Sequence, residues 1–113
     1  MATDPKAPKR YRASLDEWEW FRTWFSSDVC WVCGDAWQEL HHILARVHGG
    51  DDQTENLAPV CQRCHRKIEA RDEHARAAMR GALMPTNLAY LHDKLGVRTV
   101  GWLERNYPVR VAA

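Results

Sequence analysis

Two C-x-x-C pairs, Cys30-Trp-Val-Cys33 and Cys61-Gln-Arg-Cys64, constrain this chain more than anything else in it. Two thiolates set two residues apart can face one metal ion, and Gly34 lets the chain turn back behind the first pair. These are the only cysteines among 113 residues. The opening stretch, MATDPKAPKRYRAS, has no apolar core of the kind that directs export. An intracellular setting is therefore expected, and there zinc is favoured over two disulfides. Four thiolates close a tetrahedron and leave no position for water, so such an ion is structural. The 27 residues from 34 to 60 exceed the loop of a minimal zinc ribbon, so something more is built between the pairs. A small core of this kind gains folding free energy on the order of 10 kcal/mol from its metal.

The intervening segment carries His41-His42, Gly49-Gly50 and Asn56, and His65 follows the last cysteine directly. Residues 37–43 and 57–60 read as two short strands, the second broken by Pro59. Residues 44–56 show no apolar period and read as a surface loop. On a strand, His41 and His42 point to opposite faces, which predicts a division of labour: one binds metal, the other faces substrate. The second cysteine pair fixes the start of a helix beside the strand end, so His65 can meet His41. Two imidazoles with open positions beside them make a site for a catalytic divalent metal. His48, His74 and His92 read as ordinary histidines.

The remaining elements are helical. Ser14 with Glu17 is a capping box opening a helix over 15–26, on which Trp18, Phe21, Trp24 and Phe25 form an apolar stripe expected in the core. A helix from the second cysteine pair runs to about Arg80, with Gly81 as its C-cap and a break expected near Arg71-Asp72. Helices follow over 86–96 and 97–107, ended by Gly96 and Pro108. Two short strands among helices define an α+β fold. The expected organisation is a basic arm over 1–13 and one domain over 14–113, with its core at 28–80 and a helical extension at 85–108. The arm, with Lys6, Lys9, Arg10 and Arg12, reads either as a solvated terminus or as a phosphate-contacting tail. With a net charge of +1, bulk charge does not define a partner, and any phosphate-binding surface is local. Arg63, Arg66, Lys67 and Arg71 cluster at the start of the second helix as candidates for it. No apolar run approaches the roughly 20 residues of a membrane span.

The order His41-His42, Gly49-Gly50, Asn56-Leu57, Cys61-x-x-Cys64-His65 resembles the HNH endonucleases in their four-cysteine form, over about residues 28–70. The resemblance implies a ββα-metal core, flanked here by N- and C-terminal helices. It implies His41 and His65 as ligands of the catalytic metal and His42 as the general base. It implies Asn56 as the residue holding the loop that positions that base. Many members carry a proline after the His-His-Ile segment, where Leu44-Ala45 stands here, and some carry a further His one turn after the helix ligand. Glu69 stands at that place, as a candidate third ligand, a water holder, or an exposed carboxylate.

The implied activity is metal-dependent hydrolysis of DNA phosphodiester bonds, with structural Zn2+ at Cys30, Cys33, Cys61 and Cys64. The catalytic divalent metal would be Mn2+, Ni2+, Co2+, Zn2+ or Mg2+. Small stand-alone members occur in phage and bacteria, which implies a cytoplasmic protein with DNA as its partner. Two other readings stand beside this one: a non-catalytic zinc-stabilised nucleic-acid-binding module, and a protein-interaction domain docking through its Trp-rich helix.

Overall fold

Ser14 starts the first helix as its sequence requires. Its hydroxyl accepts the Glu17 N–H at 3.2 Å, while the Glu17 carboxylate accepts the Ser14 N–H at 3.1 Å. The computed structural model describes residues 9–109. Their order is α1 (Leu15–Trp24), β1 (Glu39–His42), β2 (Leu57–Val60), α2 (Gln62–Glu69), α3 (Glu73–Ala82), α4 (Pro85–Leu95) and α5 (Thr99–Asn106). Short 3-10 turns at Arg46–His48, Thr54–Asn56 and Gly96–Arg98 join them. The fold is α+β. Its two strands pair antiparallel, with His41 opposite Ala58 and His42 opposite Leu57.

β2 is buried along its whole length because helices cover both of its faces. On one face Leu57 meets Phe21 and Phe25 of α1, with Trp18, Trp31 and Trp37 packed around them. On the other, Ala58 and Val60 join Ile68 of α2, Met79 of α3, Leu91 of α4 and Leu103 of α5. Leu57, Val60, Ile68, Met79 and Leu91 are fully buried. Each such side chain contributes roughly 1.5–3 kcal/mol of transfer free energy. Pro59 costs the sheet nothing, because its carbonyl points away from β1 and accepts the Trp31 N–H at 3.0 Å. That bond ties the first cysteine knuckle to the hairpin.

Three sequence expectations change. Trp24 is exposed rather than in the core, stacked on Trp20 with ring centroids 5.3 Å apart. Phe21 and Phe25 alone fill the contact with Leu57, and Trp24 lies about 100° round the helix from Phe25, beyond the edge of the hairpin. The helix after the second cysteine pair does break at Arg71-Asp72, into α2 and α3. Arg71 takes φ +62° between them, and Asp72 caps α3 by accepting the Ala75 N–H at 2.8 Å. Gly81 lies inside α3, which ends at Ala82 with Leu83 as its C-cap, because Pro85 already begins α4. The loop after β1 is half interior: Gly49, Gly50, Asp51, Asp52 and Asn56 are buried.

The cover over that loop comes from residues 10–13. Tyr11 donates its N–H to Asp51, Ala13 donates to Asp52, and the Tyr11 carbonyl accepts the Asp52 N–H. The second half of the basic arm is therefore docked. Lys6 and the residues before it lie outside the described residues.

Candidate active site

The four cysteine sulfurs lie within 4.8 Å of one another. A tetrahedral zinc with bonds of about 2.3 Å separates its sulfurs by about 3.8 Å. Cys33 and Cys61 stand at 3.8 Å, so the donor set fits such an ion. Gly34, at φ +81°, reverses the first knuckle, and its N–H returns to the Cys30 carbonyl at 2.9 Å. Cys61 caps α2, where its sulfur receives the Cys64 N–H at 3.4 Å. Burial raises the Cys30 thiol, but backbone N–H groups of Cys33, Cys61 and Val32 outweigh it and bring the group to about 7. Burial and the neighbouring sulfurs push Cys64 up. A cation among them is what lets all four ionise together.

The knuckles bring β1 and the start of α2 side by side, and the two adjacent histidines of β1 face opposite ways. His42 points toward α1 and the docked arm. Its Nε2 stands 2.8 Å from Asp52 Oδ1, and its ring packs edgewise on Trp18. Asp52 is 3 % exposed and is held by Arg10 at 2.7 Å and the Ala13 N–H at 3.0 Å. Burial alone would raise its carboxyl, but those donors and His42 outweigh it and keep it below the usual carboxylate range. A carboxylate accepts, so His42 carries its proton on Nε2 and presents Nδ1 as a lone pair. The Arg46 Nε contact to the same Nε2, at 3.4 Å, is the weaker of the two. Burial lowers the His42 pKa, only partly offset by Asp52, so the ring is a neutral acceptor near pH 7.

Asn56 is fully buried and joins the strand end to this loop. Its side-chain oxygen accepts the Leu44 N–H at 2.8 Å, and its amide donates to the carbonyls of Leu44 and Asp51, each at 3.0 Å. Gly50 passes so close that a Cβ there would lie 1.7 Å from the Leu44 carbonyl oxygen. Asn56 thus fixes Asp51, and with it the neighbouring Asp52 against which His42 rests.

His41 points the other way, toward His65, with ring centroids 5.2 Å apart. Its Nε2 meets the Tyr107 hydroxyl at 2.8 Å, and that hydroxyl donates onward to the Ile43 carbonyl at 2.9 Å. Nε2 is therefore the donor, and Nδ1 is the nitrogen left for a ligand. Burial first, then the charges of His65, His42 and Arg76, hold His41 down to about 3. His65 sits between two carboxylates, with Nδ1 3.0 Å from Glu39 and Nε2 3.3 Å from Glu69. A neutral imidazole has one N–H for these two acceptors, so a cation beside Nε2 and Glu69 would complete the pairing. Among the described residues, only the four cysteines bring three or more candidate ligand atoms within reach of one ion. The donor set of His41, His65 and Glu69 suits a divalent metal chemically.

His41, His42, His65 and Glu69 line one cleft of about 520 Å3, together with Arg46, His48, Arg71, Arg76 and Trp102. Of the four basic residues expected at phosphates, only Arg71 reaches it. Arg63 lies 3.6 Å from Asp35 beside the cysteine cluster, Arg66 lines a hollow there, and Lys67 is exposed on α2. Asp52, Glu39 and Tyr107 escaped the sequence reading. Asp52 had a local signal, as a carboxylate just after a Gly-Gly turn. Tyr107 had none, being 66 positions from the histidine it touches.

A hairpin and helix with two histidines and a buried asparagine around one cleft stand beside four clustered cysteines in a ββα arrangement. Residues 30–71 match the family model described as HNH endonuclease. The match spans both cysteine pairs, the hairpin and α2, from residue 30 to residue 71 of a chain of 113. No curated protein and no solved structure matches the chain. Among the described residues, no helix is long and apolar enough to cross a membrane.

Proposed function

We propose that the chain is a metal-dependent DNA endonuclease whose reaction takes place in the cleft of His41, His42, His65 and Glu69. One observation carries the reading: the three histidines and Glu69 line the same cleft, with His42 held by a buried carboxylate. His41 through Nδ1 and His65 through Nε2 would hold the divalent cation, with Glu69 alongside and Glu39 steadying His65 from behind. When bound, the cation supplies Lewis-acid stabilisation of charge on the phosphate. His42 Nδ1 takes a proton from water, and the resulting hydroxide attacks phosphorus in line with the bond to the 3′ oxygen. That bond breaks, the 3′ oxygen takes a proton from solvent, and the products carry 5′ phosphate and 3′ hydroxyl. Arg46, Arg71 and Arg76 bind non-bridging oxygens and flanking phosphates in the cleft. Arg63, Arg66 and Lys67, on the outer face of α2, reach the backbone of a longer duplex.

Imidazole ligands favour Mn2+, Co2+, Ni2+ or Zn2+ over Mg2+. Supercoiled plasmid incubated across a panel of divalent ions should be cleaved with Mn2+, Ni2+ or Co2+ at concentrations where Mg2+ is weaker. His65→Ala should abolish that difference and leave the cysteine-bound zinc in place, since the two sites share no ligand. No cleavage with any ion would refute the reading.

A further inference from the structure

A second groove, of about 480 Å3, opens off the cleft along the C-terminal helices. The two share His48, Trp102 and Asn106, so they adjoin across these side chains. Leu95 and Trp102 contribute apolar surface to the second groove, while Arg98 and Arg105 supply its charge. No carboxylate lines it. Both arginines are exposed, and neither side chain has an ion-pair partner among the described residues.

That charge is concentrated, not an average property of the surface. The chain has 16 basic and 15 acidic residues, a formal net charge of +1. Across the two adjoining hollows, however, Arg46, Arg71, Arg76, Arg98 and Arg105 stand with Glu69 as the one lining carboxylate, and Asp52 lies 3.8 Å from Arg46 behind the lining. Arg71, at the bend where φ is positive, lines the cleft. Its guanidinium donates to the Arg105 carbonyl at 3.2 Å and to Asn106 Oδ1 at 3.4 Å. Arg76 donates to the Asn106 carbonyl at 2.8 Å and Arg80 to the Tyr107 carbonyl at 2.9 Å. The end of α5 is thus clamped against the cleft by three arginines, and the two outward ones extend the positive line beyond it. Two unpaired guanidinium groups in a groove, those of Arg98 and Arg105, match a polyanion with regularly spaced charges.

We propose that this groove is the track along which the DNA strand leaves the cleavage cleft, with Arg98 and Arg105 on backbone phosphates. The proposal rests on the nuclease reading. Leu95, Arg98, Trp102 and Arg105 of the track lie beyond the segment that matches the family model, while Leu44 and His48 on its other wall lie within it. The track extends the binding site without adding chemistry, so it governs affinity and salt dependence across all sequences.

The test uses the full chain carrying His42→Ala, so that DNA survives the measurement, and a mixed-sequence duplex as probe. Binding is titrated from low to moderate salt for this parent and for Arg98→Gln/Arg105→Gln added to it. The double variant should bind more weakly, and the slope of log affinity against log salt should fall by up to about 1.8, at about 0.9 per lost phosphate contact. Arg98→Lys/Arg105→Lys should keep the slope, because the charge remains. Each single Gln change should remove about half the effect. An unchanged slope, with native protein that binds and cleaves DNA, overturns the track and leaves the nuclease reading intact. So does weakened binding at an unchanged slope, which would mean damaged packing. Native protein that neither binds nor cleaves DNA overturns both.

Discussion

A histidine accepts a proton efficiently only when its other nitrogen is pinned, and in this chain the pin is Asp52. The carboxylate touches His42 at 2.8 Å and is itself held by Arg10 and the Ala13 N–H. Asp52→Asn keeps the shape but offers an amide N–H, which favours the wrong tautomer. We expect kcat to fall toward the loss of the general base itself, about 10²–10⁴-fold, with KM little changed. Steady-state cleavage kinetics check this, and an unaltered kcat would remove Asp52 from its positioning role. His41 makes a separate prediction about acid. Its folded pKa is near 3 against an ordinary 6.5, so the unfolded chain binds the extra proton between those values. Stability should therefore fall as pH drops from about 6.5 toward 3. His41→Gln should flatten that fall, and the difference between the two melting curves across pH separates it from zinc release, which is common to both.

At the level of elements, the N-terminal segment belongs to the site. Read as sequence it was a basic tail for affinity; in the structure residues 10–13 cover the Gly50–Asp52 loop and supply two of the donors on Asp52. Deleting residues 1–12 should thus lower kcat as well as weaken DNA binding, and a loss confined to KM would return the segment to a purely electrostatic role. The same contrast explains what was legible. Cys30, Cys33, Cys61 and Cys64 are short-range patterns tied to knuckles, so spacing singled them out, while His41, His42, Asn56 and His65 were singled out by the family resemblance that their order carries. The capping box at Ser14 and the stop at Gly96 are local for the same reason. Asp52, Glu39 and Tyr107 take their roles from chain segments that meet only after folding. Trp24 matched the helical period yet stayed outside, because period marks a face and does not say how wide its partner is.

At the level of the molecule, the cysteine cluster and the cleft are neighbours with different work. The cluster fixes where α2 begins, and so where His65 stands relative to His41. A zinc ion held there would contribute on the order of 10 kcal/mol, comparable to the whole net stability of an ordinary domain at about 5–15 kcal/mol. The C-terminal helices close the other side. Leu91 and Leu103 complete the core behind the hairpin, Tyr107 reaches back to His41, and the arginines on α2–α3 hold the end of α5. The extension is therefore part of the unit that holds the cleft together. The decisive measurement is plasmid cleavage by native protein and His42→Ala side by side in Mn2+, with DNA affinity and zinc content recorded for both. The chemistry proposed here predicts equal zinc, near-equal affinity and a loss of cleavage of about 10²–10⁴-fold in the variant. Cleavage at the native rate by a folded, zinc-loaded His42→Ala protein would contradict it.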